Sequence, residues 1–428
     1  MPRKLSTASL LLVLVTIGCA HYPVNARLDQ YNKDAGYRFQ NLSSSDNTDS
    51  LFIILAFSGG SFTAAYFALF GERIFTDFDS RFLKKDVEGD LKNRLYSPYN
   101  WYRLASTTFD RIDLAAEYYD EQLFEHRTFR DLINTGKRPY ILINATDMTQ
   151  GSQFEFTQDQ FDLFCSDLSS YPIARAVAAS SAFPVLLSPI TINNYAGSCR
   201  YQEPPWVANA ISDRDITTRR YDRALLLRSY LHADARPFIH LLDGGISDNI
   251  GLRGPLYSAT STDSPWSLLR LVNQNKVKKI VFIVVNAKTE PDTNLDRKES
   301  SPNLDKVLMT VATVPMDNYS FDTIALLKES LGQWEKDIQS RKDCEDVLKK
   351  NCPAAELTGG GLPRVKFYPV VVGFDSIEDE NERSFFKNLP TSFKLSAESV
   401  DRLREVGARL LNASPEFQRL MKELNPSR

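Results

Sequence analysis

A chain of 428 residues, 43% of them hydrophobic, is long enough for one large α/β domain with attachments or for two smaller domains. Its 51 basic and 54 acidic residues leave a net charge of −3, which offers no footing for nucleic acid. The mean hydropathy is −0.31 and no apolar run reaches the ~18 to 20 residues of a membrane-spanning helix, so the body is expected to be soluble.

In chain order, Arg3 and Lys4 precede Leu10-Leu11-Leu12-Val13-Leu14-Val15-Thr16-Ile17, and Gly18-Cys19-Ala20 follows. A short basic region and an apolar core of that size form a secretory signal. The cysteine after a small residue resembles the lipobox of bacterial lipoproteins, whose thiol is acylated and becomes the new N-terminus. Thr16 stands where that motif prefers leucine, and an ordinary signal peptide with a chance cysteine is the plainer alternative. The resemblance implies lipidation at Cys19 and anchoring in the bacterial cell envelope; Ala20, rather than aspartate, points to the outer membrane facing the periplasm. Residues 1–19 are expected as signal and 20–50, ending in NLSSSDNTDS, as a polar tether.

Leu51 to Phe57 is seven apolar residues without a break, followed by Ser58-Gly59-Gly60-Ser61 and the small and aromatic stretch Phe62 to Phe70. The pattern predicts a buried parallel strand, a sharp turn and a helix. A serine at such a corner holds its hydroxyl outward, and free N–H groups at the turn suit a developing oxyanion, with Gly59 and Gly60 supplying them. The usual elbow is G-x-S-x-G, and Ala56 replaces its first glycine. A plain strand-ending or phosphate-binding turn is the competing reading, although no lysine follows as a phosphate loop requires.

Glu72 to Asn134 is charged, aromatic and expected to be helical, with a break at Ser97-Pro98; its aromatics read as core or as a lipid-facing lid. Strands are expected at Pro139 to Ala145 and, antiparallel, at Phe154 to Thr157. A small-residue helix follows over Ile173 to Ser181, stopped by Pro184, which brings Ser180 and Ser181 towards the catalytic edge. Arg200 to Arg236 reads as an insert, either a cap or a surface cover. Arg236 to Gly251, RPFIHLLDGGISDNIG, is a second apolar strand ending in Asp243-Gly244-Gly245, with Asp248-Asn249 beyond. Two parallel strands of one sheet would deliver Ser58 and Asp243 to the same edge. Further strands are expected at Lys278 to Asn286 and Val365 to Gly373. Gly359-Gly360-Gly361 reads as a loop, and Val400, Leu403, Val406 and Leu410 mark an amphipathic helix that packs on the domain.

Ser-Gly-Gly after an apolar strand, IARAVAASSAFPVLLSP at Ile173 to Pro189, and Asp243-Gly244-Gly245 with Asp248-Asn249, in this order, resemble patatin-like phospholipases over roughly Leu51 to Gly373. The resemblance implies a mostly parallel central sheet flanked by helices. It also implies a Ser–Asp dyad without histidine that cleaves acyl esters of membrane lipid, with Ser58 as nucleophile and Asp243 as base. The expected division is an α/β domain over 51–378 and a C-terminal helical segment over 379–428. Patatin-like chains carry two early glycine turns, an oxyanion loop and the serine elbow. This chain has one, as though the strand and helix between two similar Ser-Gly-Gly stretches were missing. An impaired envelope protein that binds lipid without turnover is therefore the alternative function.

Without the resemblance, Asp243 could equally brace its own turn and Asp248-Asn249 cap the next segment. His240 lies three residues before Asp243 on the same strand and points to the opposite face, which speaks against a triad through it; His126 or His232 from a loop stays open. Apart from Cys19, the cysteines are Cys165, Cys199, Cys344 and Cys352, an even number that fits an oxidising compartment. Closeness in sequence ranks Cys344–Cys352 with Cys165–Cys199 first of three pairings, and four reduced thiols are the alternative. The cysteine spacings and scattered histidines imply no metal, and no cofactor is expected.

Overall fold

The computed structural model describes residues 20–43, 50–184, 186–260, 277–289, 296–297, 299–352 and 365–425. The leader with Cys19, residues 44–49 of the expected tether and Gly359-Gly360-Gly361 lie outside the described residues. The strands that bear on the site are β1 (Leu51–Phe57), β2 (Asn144–Asp147), β3 (Ser152–Glu155), β4 (Ile190–Asn193), β5 (Phe238–Asp243), β6 (Lys279–Asn286) and β7 (Lys366–Gly373). The helices used below are α1 (Ser61–Phe70), α2 (Val87–Leu95), α3 (Pro98–Leu104), α4 (Arg111–Tyr119), α5 (Ile173–Ser180), α6 (Arg219–Tyr230), α7 (Leu304–Asn351), α8 (Ala397–Ala413) and α9 (Pro415–Leu424).

Two compact units divide the chain, and neither is a continuous stretch. The first takes residues through Leu42, Ser61–Ser247 and Thr391–Val400; the second takes Ser43–Gly60, Asp248–Pro390 and Asp401–Arg428. This division cuts across the linear boundary expected at residue 378.

The first unit is built on an antiparallel sheet of order β3-β2-β5-β4. Its core gathers Tyr66, Phe78, Tyr119, Phe154, Phe161 and the alanine-rich face of α5. Small residues make α5 narrow enough to lie against both α4 and the sheet. Helix α3 begins where the break was expected, with Ser97 at its N-cap and Pro98 in its first turn, a position that needs no N–H donor. The strand expected from Pro139 starts only at Asn144, after a cis Arg138–Pro139 bond. Residues 20–42, part of the stretch expected as tether, are instead packed into this unit. Asn25 donates to the Ser166 hydroxyl, Tyr37 is fully buried, and the Arg38 guanidinium pairs with Asp162 at 2.5 Å and with Asp159. A polar segment stays with the body when its polar atoms find partners this specific.

The second unit holds a parallel sheet of order β1-β6-β7. Being central, β6 buries Ile280, Val281, Phe282 and Val284. Pro369 of β7 sits on an edge strand, where a missing N–H costs no ladder bond. On one face α7 covers the sheet through Leu327 and Leu331; on the other α8 and α9 cover it through Val406, Leu410 and Leu420, as the C-terminal apolar spacing predicted. The α/β class and the C-terminal helical segment are therefore present. Two expectations are corrected. β1 is an edge strand, so Ile53 and Leu55 are 50% and 56% exposed rather than buried. And β5 is no partner of β1: it pairs antiparallel with β2 and β4 in the other sheet.

Candidate functional site

The turn after β1 is held by three constraints. The Ser58 N–H donates to the Val285 carbonyl at 3.1 Å, which extends the β1–β6 ladder one bond beyond the strand. Gly59 has φ +71°, a conformation that a side chain would strain, and a Cβ on Gly60 would come within 2.4 Å of the Phe57 Cβ. The Gly60 N–H reaches the Phe57 carbonyl only at 3.4 Å. The Gly59 N–H has no acceptor among the described residues, so of the two expected oxyanion donors it is the one left unspent.

The Ser58 hydroxyl donates to Asn249 Oδ1 at 3.2 Å, within the second unit. Asn249 Nδ2 donates in turn to Ser320 Oγ at 3.3 Å, and the Ser320 hydroxyl donates to the Met316 carbonyl at 2.7 Å on α7. Because the Ser320 proton is committed to Met316, only the amide NH₂ can face Ser320, and the amide oxygen faces Ser58. An amide oxygen orients a hydroxyl but does not take its proton at ordinary pH, so Asn249 is a positioning residue rather than a base. Its neighbour Asp248 is buried and accepts from the Gly251, Leu252 and Arg253 N–H groups at 3.1, 3.3 and 2.8 Å. Burial raises its pKa while those N–H groups pull it back, and its acceptors are spent on the turn.

Asp243 closes β5 in the first unit. Its N–H donates to the Ala182 carbonyl at 3.0 Å, and the Gly244 N–H to the Ser180 carbonyl at 3.1 Å, so the chain leaving α5 runs beside this turn. Gly244 tolerates no side chain: its Cβ would lie 2.3 Å from the Asn144 carbonyl oxygen. Thr146 Oγ1 donates to the Asp243 carbonyl at 2.7 Å and fixes the same turn from β2. The carboxylate Oδ1 accepts the Gly245 N–H at 2.7 Å. Burial outweighs that bond and pushes the carboxyl pKa up to about 6. Ser181 Oγ donates to the Ala178 carbonyl at 3.2 Å, the habit of a serine ending a helix.

Ser58 thus belongs to the second unit and Asp243 to the first, on strands of different sheets, which overturns the expectation of one shared sheet edge. The chain passes between units directly after Gly60 and again after Ser247. Of the histidines, His126 Nδ1 is 2.6 Å from Asp120 and His240 Nδ1 is 3.0 Å from Thr191 Oγ1, partners outside both turns. Cys165 and Cys199 are joined by a disulfide, whereas Cys344 and Cys352 are unpaired and exposed. The second pairing fails because Cys344 lies within α7 and Cys352 caps it: eight helical residues span about 12 Å, beyond the ~7 Å a disulfide tolerates.

Sequence reasoning missed two residues. From sequence Asn249 reads as a possible cap, and nothing in its spacing tells which of Asp248 and Asn249 turns to Ser58. Ser320, 71 positions further on, carried no signal at all. No curated protein matches the chain. Residues 53–256 match the family model of the patatin-like phospholipase, a stretch that takes in both glycine turns and stops before β6 and β7. The chain carries a patatin-like phospholipase domain, the domain of a family of lipid acyl hydrolases.

Proposed function

We propose that this chain hydrolyses acyl esters of membrane phospholipid or lysophospholipid with Ser58 as nucleophile and Asp243 as general base, held at the bacterial envelope by an acylated Cys19. The observation that carries the reading is the pair of glycine turns inside the family match, one presenting a serine and the other a carboxylate whose pKa of about 6 suits a base near neutral pH.

Ser58 Oγ attacks the ester carbonyl carbon and its proton passes to Asp243. The Gly59 N–H steadies the tetrahedral oxyanion. Collapse breaks the ester C–O bond, and the protonated Asp243 returns its proton to the departing alkoxide, leaving an acyl-Ser58. Asp243 then removes a proton from water, the hydroxide adds to the acyl carbon, and the fatty acid leaves as Ser58 recovers its proton. Asn249 holds the hydroxyl in position throughout. Hydrolysis of this kind needs no cofactor.

A second reading, lipid binding without turnover, is favoured by one observation: the hydrogen-bond partner of Ser58 is an amide, which takes no proton. Loss of a single oxyanion donor costs about 3 to 4 kcal/mol of transition-state stabilisation, so one glycine turn in place of two bears directly on turnover. A fluorophosphonate probe separates the readings, because it requires an activated serine and no knowledge of the substrate. Hydrolysis predicts labelling at Ser58 that Ser58→Ala abolishes and Asp243→Asn suppresses, together with acyl-ester turnover that follows the same order. Equal turnover by the parent and both variants would eliminate the hydrolase.

A further inference from the structure

Helix α7 has two apolar faces. From Ser320 onward, Ile324, Leu326, Leu327, Leu331, Trp334 and Ile338 pack against the core of the parallel sheet, with Leu326 at the margin of this set. Upstream, Leu304, Val307, Leu308, Val311, Val314 and Phe321 are open to solvent, with Leu304 73%, Val311 65% and Phe321 71% exposed. At about 100° per residue this second set spans an arc of about 140°, centred roughly opposite the packed set. It is therefore no continuation of the core seam, and it runs for about 26 Å.

The stripe exposes on the order of 600 Å² of apolar side chain, below the ~800 Å² per partner that a stable dimer buries. As a coiled-coil seam it would be about two and a half heptads, shorter than the ~3 to 4 that specify one. Asn318 interrupts it near its C-terminal end and Pro315 lies within the helix. A lipid surface needs no matching seam. Between positions 304 and 321 the charged residues are Asp305, Lys306 and Asp317, so the face is close to neutral and has no basic excess to draw it to anionic headgroups. The stripe also ends at Phe321, next to Ser320, which holds Asn249 and through it the Ser58 hydroxyl.

We propose that residues 304–321 of α7 form a face that inserts into the surface of zwitterionic lipid and so brings the unit bearing Ser58 to aggregated substrate. The purpose of this contact rests on the lipid-hydrolase reading; its existence is measured without turnover. The test uses the chain from Ala20 to Arg428, without the apolar leader and Cys19, so that neither the leader nor an N-terminal lipid contributes, in flotation with phosphatidylcholine vesicles. Binding is expected, with little change between low and high salt because apolar insertion is unscreened. Val307→Asp with Val311→Asp, both at exposed positions, weakens it by about tenfold or more, and leaves the far-ultraviolet dichroism and fluorophosphonate labelling of Ser58 unchanged. No flotation of the parent, or equal flotation of the double variant, overturns the proposal. So does a parent dimer that the same substitutions dissociate without altering flotation, since the face then binds a second copy. Flotation that responds to the substitutions in a protein that turns over no ester leaves this face standing and removes the hydrolase.

Discussion

Replacing Asp243 by asparagine should make the protein more stable while removing its proposed base. Asparagine keeps an acceptor for the Gly245 N–H, so the turn's 2.7 Å hydrogen bond survives and only the charge is lost. Burial lifts the carboxyl from 3.8 to about 6 in the folded chain. Two pKa units correspond to about 3 kcal/mol, and partial solvent access brings the expected penalty to about 1.5 to 3 kcal/mol. The sign follows from proton binding. Between pH 3.8 and about 6 the folded state holds the Asp243 proton more tightly than the unfolded chain, so wild-type stability falls as pH rises through this window and stays lowered above it. Asparagine has no such dependence. Denaturant unfolding at pH 7.5 should therefore show the variant ahead by that amount, and at pH 4 the gap should have shrunk to about 0.5 kcal/mol or less. A variant no more stable than wild type at pH 7.5, or one whose advantage is undiminished at pH 4, would refute the assignment of a buried, reluctant carboxylate.

Four other outcomes follow from the same geometry. Acyl-ester turnover should rise with pH through about 6 and level off above it, because Asp243 acts only when ionised; a profile flat from pH 5 to 8 excludes it as base. Asn249→Ala removes one ordinary hydrogen bond to Ser58, worth about 1 kcal/mol, and should slow fluorophosphonate labelling about fivefold without abolishing it. Gly244→Ala drives a methyl group into the Asn144 carbonyl at 2.3 Å and should lower stability by about 2 to 4 kcal/mol, read as a fall in denaturant midpoint. Removing the Cys165–Cys199 bridge, which closes a 34-residue separation, should cost about 3 to 4 kcal/mol.

How far the sequence could be read depended on how local each determinant was. The apolar runs of β1, β6 and β7 announced themselves because a parallel strand needs no information from its neighbours to be apolar. The serine turn was equally visible: the φ of Gly59 and the crowding at Gly60 are imposed within three residues. Strand β5 looked like another member of that sheet, since an apolar strand ending in Asp-Gly-Gly reads the same whether its partners run parallel or antiparallel. The pairing with β2 and β4 was chosen by elements nearly 100 and about 50 residues earlier. The polar segment before β1 looked like a tether because its partners, Ser166, Asp159 and Asp162, lie far along the chain.

By itself, then, the sequence determined the α/β class, the two glycine turns and the residues that close them, since each follows from periodicity or from steric limits on adjacent residues. Only the tertiary structure decided that Ser58 turns its hydroxyl to the Asn249 amide, that Asp243 belongs to another sheet, and that α7 has an apolar face left over. Hydrogen-bond direction, sheet membership and burial are properties of residues brought together from distant positions, and no local pattern encodes them.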